Sequence, residues 1–294
     1  MRILIKRPAG IGDMVVTFPF VRKVRESYPN SKIDYLINGN LKELIFCLCP
    51  EISQVISGNN FNAKAYDIIY DLQKLSQQAF QQRRGKEHQL DIFCDYYGFR
   101  LSAQEKQVIR ELKQEDSIWA HKYIRYHLSN YRDKKIVGIV LSDRNSQKVW
   151  PYNKELIDYL SRDGRNLILL LGHSLFSNKL FNKERILNVT ELTSLRQVIS
   201  LVNCCNLVIT PDTGLLHVAG ILGIPFISIF GSTPGQLITK YYSSCYCIMQ
   251  NQLCDSICWQ RNFATCNKCL KSISVEDVLT KIEKFLAKNA VSKK

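Results

Sequence analysis

The sequence lacks any long uninterrupted apolar segment. A helix that spans a bilayer needs about 18 or more consecutive apolar residues, whereas the longest candidate, residues 218–231, is broken by Gly223 and Pro225. The apolar opening at residues 3–5 is too short for the core of a secretory signal, because Lys6 follows it directly. The chain also has no internal repeat and no low-complexity segment. These absences favour a globular protein over a membrane or fibrous one, and we expect it in the cytoplasm.

Acidic residues are scarce relative to basic ones. The 294 residues include 40 lysines and arginines but only 26 aspartates and glutamates, which gives a formal net charge of +14 at pH 7. The excess is spread along the chain and is not confined to a tail. Such a surface suits a nucleic acid, an anionic membrane or a phosphorylated substrate, and an ordinary solvated surface can carry it as well. Charge alone therefore does not identify a partner.

Short apolar segments typical of buried strands alternate with segments typical of helices. Residues 16–24 have an apolar side chain at every fourth position, which predicts a helix that Pro19 kinks near its start. The predicted strands are residues 2–7, 32–37, 66–72, 135–141, 166–171, 206–210 and 225–230. The other predicted helices are residues 101–135, 153–163, 195–202, 213–222 and 274–288. Because this alternation forms parallel sheets, we predict an α/β protein with two domains, residues 1–130 and 131–294.

Two of the strands are each followed by a glycine-containing turn, an aspartate and a helix. In the first turn, Gly10 and Gly12 allow a sharp bend and place Asp13 at the start of the helix. In the second, residues 210–214 (TPDTG) open the helix that carries His217. Backbone N–H groups at a helix N-terminus attract anions such as phosphates, so both turns are candidate ligand sites. The alternative is that both aspartates only cap their helices.

These motifs resemble those of the ADP-heptose:lipopolysaccharide heptosyltransferases, which form glycosyltransferase family 9 and have the GT-B fold. The opening GIGDMVVTFP at residues 10–19 is similar to the family's N-terminal signature, and residues 71–73 (DLQ) are similar to its second-strand ending. Residues 148–151 (KVWP) match a further element, and residues 212–219 (DTGLLHVA) are the most specific match. The motifs occur in the family's order and cover nearly the whole chain. The resemblance implies two Rossmann-like domains that face each other across a cleft, the N-terminal one binding the acceptor and the C-terminal one the nucleotide-sugar.

The resemblance also implies roles for individual residues. Asp13 would be the general base that deprotonates the acceptor hydroxyl in an inverting transfer, and Lys148 would neutralise the diphosphate of the leaving nucleotide. The donor-binding residues implied in the same way are Gly12, Asp212, Thr213, Gly214, Leu215 and His217. The residues implied to bind an anionic acceptor, a lipopolysaccharide core or another glycan, are Arg83, Arg84 and Lys86. ADP-heptose is the implied donor, catalysis would need no cofactor, and such an acceptor is compatible with peripheral contact with the inner membrane.

Several of these residues have a plain structural alternative. His217 could be a hydrogen-bonded core histidine, Trp150 could pack in the core instead of lining the cleft, and the cations at positions 83–86 could form a solvated loop. The sequence also departs from the family. The glutamate with which relatives bind the donor ribose is absent just after residues 172–174, and Lys74 stands where relatives have glycine. The identity of the nucleotide and the details of acceptor binding therefore stay open.

Six of the eleven cysteines lie within residues 245–269. Cys254 and Cys258 form one close pair and Cys266 and Cys269 another, and close thiolate pairs suit tetrahedral zinc or iron. A similar segment in bacterial autotransporter heptosyltransferases is taken to hold iron, so the resemblance adds a structural zinc or iron as a prediction. Free thiols are the alternative, and disulfides do not suit a reducing cytoplasm. The cysteines in apolar surroundings, which we expect to be small core residues, are Cys47, Cys49, Cys94, Cys204 and Cys205.

Two other classes of function remain compatible with the sequence. One is a basic protein with a cysteine-held metal that binds nucleic acid. The sequence has no recognised finger spacing and no basic-aromatic groove, so we expect no nucleic-acid partner. The other is a protein with the family's fold that acts as a scaffold or modifies a protein. Heptose transfer is the leading prediction.

Overall fold

The computed structural model describes residues 1–58, 61–82, 86–128, 134–141, 148–172, 184–231, 233–250 and 267–291, with the backbone alone at 79–82 and 287–291. The chain divides into two compact units, Met1–Leu112 and Lys113–Lys294. Each unit contains one sheet whose described strand pairs are all parallel, and α-helices lie between most of the successive strands in the described ranges. This confirms the predicted α/β class. No helix within the described ranges is both long and apolar enough to cross a membrane.

Unit 1 is built on a four-stranded sheet in the order β3-β2-β1-β4. Its strands are β1 (Arg2–Lys6), β2 (Lys32–Ile37), β3 (Gln54–Ser57) and β4 (Ile68–Asp71). Its helices are α1 (Ile11–Val15), α2 (Phe18–Ser27), α3 (Lys42–Leu48), α4 (Leu72–Gln82), α5 (Gln89–Tyr96) and α6 (Ala103–Lys106). The sequence predicts β1, β2 and β4. It does not predict β3, α3, α4 or α5. Three of these span eight residues or fewer and offer too little periodicity, whereas α4 begins at Leu72, inside the segment predicted as a strand.

A break separates α1 from α2, where the sequence predicts one helix over residues 16–24. The break lies at Thr17, whose hydroxyl donates to the carbonyl of Met14 at 2.7 Å and lies 2.9 Å from the hydroxyl of Tyr35. The predicted kink at Pro19 is wrong. Pro19 lies in the first turn of α2, where a residue without an N–H group sacrifices no helical hydrogen bond. The proline therefore begins a helix instead of bending one.

Unit 2 is built on a six-stranded sheet in the order β10-β9-β8-β5-β6-β7. Its strands are β5 (Lys135–Leu141), β6 (Asn166–Gly172), β7 (Ile186–Asn188), β8 (Leu207–Pro211), β9 (Phe226–Ile229) and β10 (Cys245–Ile248). Its helices are α7 (Gln114–His127), α8 (Asn153–Asp163), α9 (Leu195–Asn203), α10 (Gly214–Ile221), α11 (Gly235–Ile238), α12 (Lys268–Lys271) and α13 (Val275–Val291). The sequence predicts β5, β6, β8, β9, α8, α9, α10 and α13, but not the shortest elements β7, β10, α11 and α12.

The segment 101–135, predicted as one charged helical region, contains two separate helices, α6 and α7. Helix α7 packs against α9 in unit 2. Arg196 of α9 forms salt bridges of 2.6 Å with both Glu115 and Asp116 of α7. These contacts assign α7 to unit 2, so the division of the chain follows residue 112, upstream of the expected position near residue 130.

Trp150 belongs to the apolar core of unit 2. Its side chain is 2% exposed, and its indole Nε1 donates to the carbonyl of Ile273 at 2.9 Å. The surrounding cluster contains apolar side chains from β5, β6, β8 and α13. The structure therefore supports the core-packing alternative for this residue, and not a place lining a cleft.

Replacing Trp150 with phenylalanine is expected to lower the free energy of unfolding by about 1–3 kcal/mol, because the carbonyl of Ile273 loses a buried donor. Denaturant titration measures this as a lower midpoint with an unchanged slope. Tyr152→Phe is a matched control, since its hydroxyl donates to the carbonyl of Lys271 at a solvent-exposed position, and its loss should matter less. Equal stability of Trp150→Phe and the unmodified protein would contradict the buried hydrogen bond.

Candidate active site

Asp13 lies in the first turn of α1, shortly after the carboxyl end of β1. The residue that precedes the helix, Gly10, has a φ of −70°, which any residue adopts, so no left-handed bend requires a glycine there. Gly12 is the second residue of α1. The side chain of Asp13 is 44% exposed. Its carboxylate is therefore accessible to a substrate hydroxyl.

Arg7 is the closest partner of Asp13. One guanidinium nitrogen, Nη2, lies 2.6 Å from Oδ1 of Asp13, and the amide of Gln89 donates to the same oxygen at 3.4 Å. The other terminal nitrogen, Nη1, donates to the amide oxygen of Gln73 at 2.7 Å. The Arg7 side chain is only 4% exposed, and its Cζ lies 5.9 Å from the ring centre of Phe93. A buried cation therefore holds the partly exposed carboxylate at this end of the unit 1 sheet.

A second ion pair, between Lys6 and Asp71, lies at the same edge of the sheet. The parallel register of β1 and β4 places the two residues opposite each other, and the ammonium of Lys6 contacts the carboxylate of Asp71. Of the cations implied in acceptor binding, Lys86 is exposed. Arg83 and Arg84 lie outside the described residues. Acceptor binding by these three residues stays a prediction.

In unit 2, Lys148 and Asp212 form a salt bridge in which Nζ lies 2.7 Å from Oδ2. The hydroxyl of Thr233 donates to the same carboxylate oxygen at 2.9 Å. Lys148 follows β5 in sequence and Asp212 follows β8, and these two strands are parallel neighbours. Because the carboxyl ends of parallel neighbours lie at the same sheet edge, the fold brings together two residues that the sequence only implies separately.

Helix α10 begins two residues after Asp212. Thr213 is its N-cap residue, and the hydroxyl of Thr213 lies 3.3 Å from that of Thr210. Gly214 and Leu215 are the first two helical residues, and the helix is buried from Leu215 onward. The partial positive charge of a helix N-terminus adds to that of the Lys148 ammonium. This turn, which we call the Asp212 corner (residues 210–215 with Lys148 and Thr233), is suited to an anionic phosphate.

His217 lies in the first turns of α10 and is 8% exposed. Its Nδ1 lies 2.8 Å from the hydroxyl of Tyr242. The Tyr242 ring packs so closely on α10 that a Cβ at Gly220 would lie 2.5 Å from it, and burial raises the pKa of the phenol. His217 is thus a buried histidine with a hydrogen-bond partner, as its structural alternative predicts. A contact with the donor stays a prediction.

The described cysteines do not test the predicted metal site. Cys254, Cys258 and Cys266 lie outside the described residues, and Cys269 is buried in α12. Among the residues that the structure describes, no group of three or more histidine, cysteine or acidic side chains could hold a metal ion. The hydrogen bond between the two thiols of β10 raises the pKa of Cys245 and lowers that of Cys247. Of the cysteines expected in the core, Cys49, Cys94 and Cys205 are buried, while Cys47 and Cys204 are partly buried.

Three residues of these sites have no role in the sequence prediction. The sequence offers a reason to include Arg7 in the ligand site, because it is a cation that directly follows a buried strand and precedes a glycine turn, where ligands bind in α/β sheets. Thr233 follows β9 in the chain, and its contact with Asp212 is not evident from the local sequence. Tyr242 has no local signal, because its contacts with α10 depend on the tertiary structure.

Comparison with known proteins identifies the family. Residues 86–265 match the profile of glycosyltransferase family 9 (heptosyltransferase). Lipooligosaccharide heptosyltransferase 2 of Campylobacter jejuni subsp. jejuni serotype O:6 is 22% identical over 320 residues, which cover 97% of this chain and 99% of that protein. Among solved structures, a family 9 glycosyltransferase from Veillonella parvula has a TM-score of 0.75 at 18% identity, with 98% of this chain and 97% of that chain covered. Escherichia coli heptosyltransferase WaaC with ADP has a TM-score of 0.64 at 18% identity, with 97% and 100% covered. These likenesses confirm the predicted GT-B fold class, and the chain belongs to glycosyltransferase family 9, the heptosyltransferase family, and is a transferase.

Proposed function

We propose that this protein transfers a heptose from ADP-heptose to a lipopolysaccharide core acceptor, with inversion at the anomeric carbon. Membership of family 9 supports a heptose as the transferred sugar. The curated relative from C. jejuni is named for action on a lipooligosaccharide, and the similar WaaC structure contains ADP. These names support the choice of acceptor class and of nucleotide for this chain.

In the proposed reaction, an acceptor hydroxyl attacks the anomeric carbon as the bond to the β-phosphate oxygen breaks. The carboxylate of Asp13 takes the hydroxyl proton, and the glycosidic C–O bond replaces the bond to ADP. One base on the face opposite the leaving group is what a single inverting displacement requires. The departing ADP gains negative charge, which the Lys148 ammonium and the N-terminus of α10 would stabilise. No cofactor takes part in this scheme.

The observation that carries the proposal is the Asp212 corner. Lys148 is paired with Asp212 at 2.7 Å, next to the N-terminus of a buried helix. An ammonium has three donor hydrogens, so Lys148 can keep its bond to Asp212 and still donate to a phosphate oxygen. Asp212 and Thr233 would then hold the lysine in place when the diphosphate enters. Exposure of 38% of the Lys148 side chain makes this second contact accessible.

Among nucleoside diphosphates, ADP is expected to give the largest protection against thermal unfolding. Binding to the folded state alone stabilises by about 2.7 kcal/mol when the ligand is present at about 100 times its Kd. The measurement is a thermal-shift series with ADP, UDP, GDP and CDP at equal concentrations. A larger shift with another nucleotide would contradict ADP as the donor nucleotide. The series also shows whether the protein still prefers one nucleotide although it lacks, just after residues 172–174, the glutamate with which relatives bind the donor ribose.

Turnover is tested with ADP-heptose and a heptose-free core acceptor. The product should gain one heptose by mass, and its anomeric configuration, read by NMR, should be opposite to that of the donor. Donor hydrolysis without transfer would favour a scaffold or protein-modifying variant of the family. Retention of configuration would contradict the single-displacement mechanism and the role of Asp13.

We propose that unit 1 binds the anionic acceptor, with Arg83, Arg84 and Lys86 as contacts, and that unit 2 binds the donor. Because a lipopolysaccharide acceptor is anchored in a membrane, the enzyme would act in the cytoplasm with peripheral contact at the inner membrane.

We also propose a structural zinc or iron held by Cys254, Cys258, Cys266 and Cys269. It would show as about one equivalent of metal in elemental analysis of protein purified without chelator.

A further inference from the structure

We propose that Arg7 is a positioning residue for Asp13: it fixes one carboxylate oxygen so that the other is held ready to accept the proton of the acceptor hydroxyl. The inference rests on the proposed function, in which Asp13 is the general base. Arg7 itself would not touch the substrate. Its side chain is 4% exposed, whereas the side chain of Asp13 is 44% exposed.

The two oxygens of the Asp13 carboxylate have different surroundings. Oδ1 accepts from the Arg7 guanidinium at 2.6 Å and from the Gln89 amide at 3.4 Å. Oδ2 has no hydrogen-bond partner among the residues that the structure describes. Oδ1 is thus the anchored oxygen, and Oδ2 is the oxygen that would take a proton.

The guanidinium is held from a second direction. Its Nη1 donates to the amide oxygen of Gln73 at 2.7 Å, and the backbone N–H of Arg7 donates to the carbonyl of Leu36 at 3.2 Å. The planar, rigid fork of an arginine loses little freedom when both of its terminal nitrogens are bonded. Asp13 and Gln73 therefore lie at the two ends of one flat group, and Arg7, which directly follows β1, is held by residues of β2 and α4 and so sets the position of the carboxylate.

Burial gives the contact its strength. A cation removed from water requires a hydrogen-bonded counter-charge, and Asp13 is the one carboxylate paired with Arg7 among the described residues. The attraction therefore restrains Asp13 while its other side stays open to solvent. Displacing a catalytic group by about 1 Å can lower the reaction rate about a hundredfold, so the loss of this restraint should be measurable as a lower kcat.

The test compares Arg7→Met and Arg7→Lys in two backgrounds, the unmodified protein and Asp13→Asn. In the unmodified background, Arg7→Met should lower kcat by about 10- to 100-fold with little change in donor KM. Arg7→Lys keeps the charge without the fork and should recover part of that loss. In the Asp13→Asn background, Arg7→Met should change the residual rate by less than about twofold, because residues acting through one another are not additive.

A milder variant and a matched control protect the test against loss of folding. Gln73→Leu removes only the second contact of Arg7, and its kcat effect should also disappear in the Asp13→Asn background. Arg110→Met is the control: Arg110 pairs with Glu51 at 2.6 Å in the same unit and, like Arg7, has a buried Nε that finds no hydrogen-bond partner in the described part of the chain. Arg110→Met should lower the thermal midpoint as much as Arg7→Met does, and leave kcat unchanged.

The outcomes separate the two levels of the hypothesis. Equal kcat losses from Arg7→Met in both backgrounds would overturn the positioning role, because Arg7 would then act independently of Asp13. The same holds if Arg110→Met lowers kcat as strongly as Arg7→Met. Full activity of Asp13→Asn by itself would instead overturn the proposed general base, whatever the Arg7 variants do.

Discussion

Asp13→Asn is expected to lower kcat for heptose transfer by about 10²–10⁴-fold, the usual contribution of a general base. The amide has nearly the same shape as the carboxylate and can still bond Arg7, but it cannot accept the hydroxyl proton. Donor KM should stay nearly unchanged, because all the proposed donor contacts except Gly12 belong to unit 2 and the asparagine has nearly the same shape as the aspartate beside Gly12. Steady-state rates with ADP-heptose and a core acceptor measure both quantities.

Asp13→Ala is a less suitable variant for the same question. It would leave the guanidinium of Arg7 buried and without its carboxylate, which we expect to lower the free energy of unfolding by about 1–3 kcal/mol. The cost stays below that of breaking a fully buried ion pair, since Asp13 is 44% exposed. The double variant Asp13→Ala with Arg7→Met should regain part of this stability, because the unpaired charge is also removed.

Two results would contradict this account of Asp13. Normal turnover by Asp13→Asn would remove it as the base. A loss of activity accompanied by a lower thermal midpoint and weaker ADP binding would indicate a structural role. The asparagine variant should therefore be compared with the unmodified protein in ADP protection, where we expect no difference.

Lys148→Met is expected to lower kcat by about 10²–10³-fold, the range seen when one preorganised stabilising donor is removed from an active site. The leaving ADP gains charge in the transition state, and the variant lacks the ammonium that would stabilise it. ADP protection should also fall, because the product diphosphate carries the same charge. Lys148→Arg should retain part of the kcat and part of the ADP protection, since it keeps the cation but alters its donor geometry.

Lys134→Met is the matched control for Lys148→Met. Lys134 is also a unit 2 lysine whose ammonium is bonded, in its case to the carbonyl of Gly164 at 2.8 Å. It has no place at the Asp212 corner, so kcat and ADP protection should be unchanged. A loss confined to folding stability in Lys148→Met, with kcat preserved, would show that its pair with Asp212 is only structural.

The elements of the fold illustrate what local sequence can predict. The bounds of β2, β5 and α8 agree with the prediction. The two strands are short and buried at nearly every position, and α8 has one apolar face at helical spacing, so each pattern is visible in the sequence. Short elements such as β7 and α11 have too few residues for a period. The single helix expected over residues 16–24 fails because the hydroxyl contacts of Thr17 and the first-turn preference of Pro19 interrupt a pattern that is otherwise helical.

In the candidate site, the sequence identifies the residues that lie in motifs but not the partners they contact. Motif residues such as Asp13 and Asp212 were identifiable because a strand, a tight turn and a helix occur together in the sequence. Their partners were not, because Arg7 meets Gln73, and Lys148 meets Asp212, only after strands distant in the chain become neighbours. The position of Trp150 beside a proline favours core packing, but the sequence does not predict its hydrogen-bond partner, because Ile273 lies in a different segment.

The sequence by itself determined the α/β class, the positions of most strands and of several helices, and the motifs that carry the family resemblance. Backbone preference and apolar periodicity act over a few residues, so they can be read directly from the chain. The tertiary structure alone decided which charged residues form ion pairs. Strand order determines which strands have their carboxyl ends next to each other, and burial determines which of the charged residues there must be paired. The ion pairs of Asp13 and Lys148 depend on both, and neither strand order nor burial is a local property.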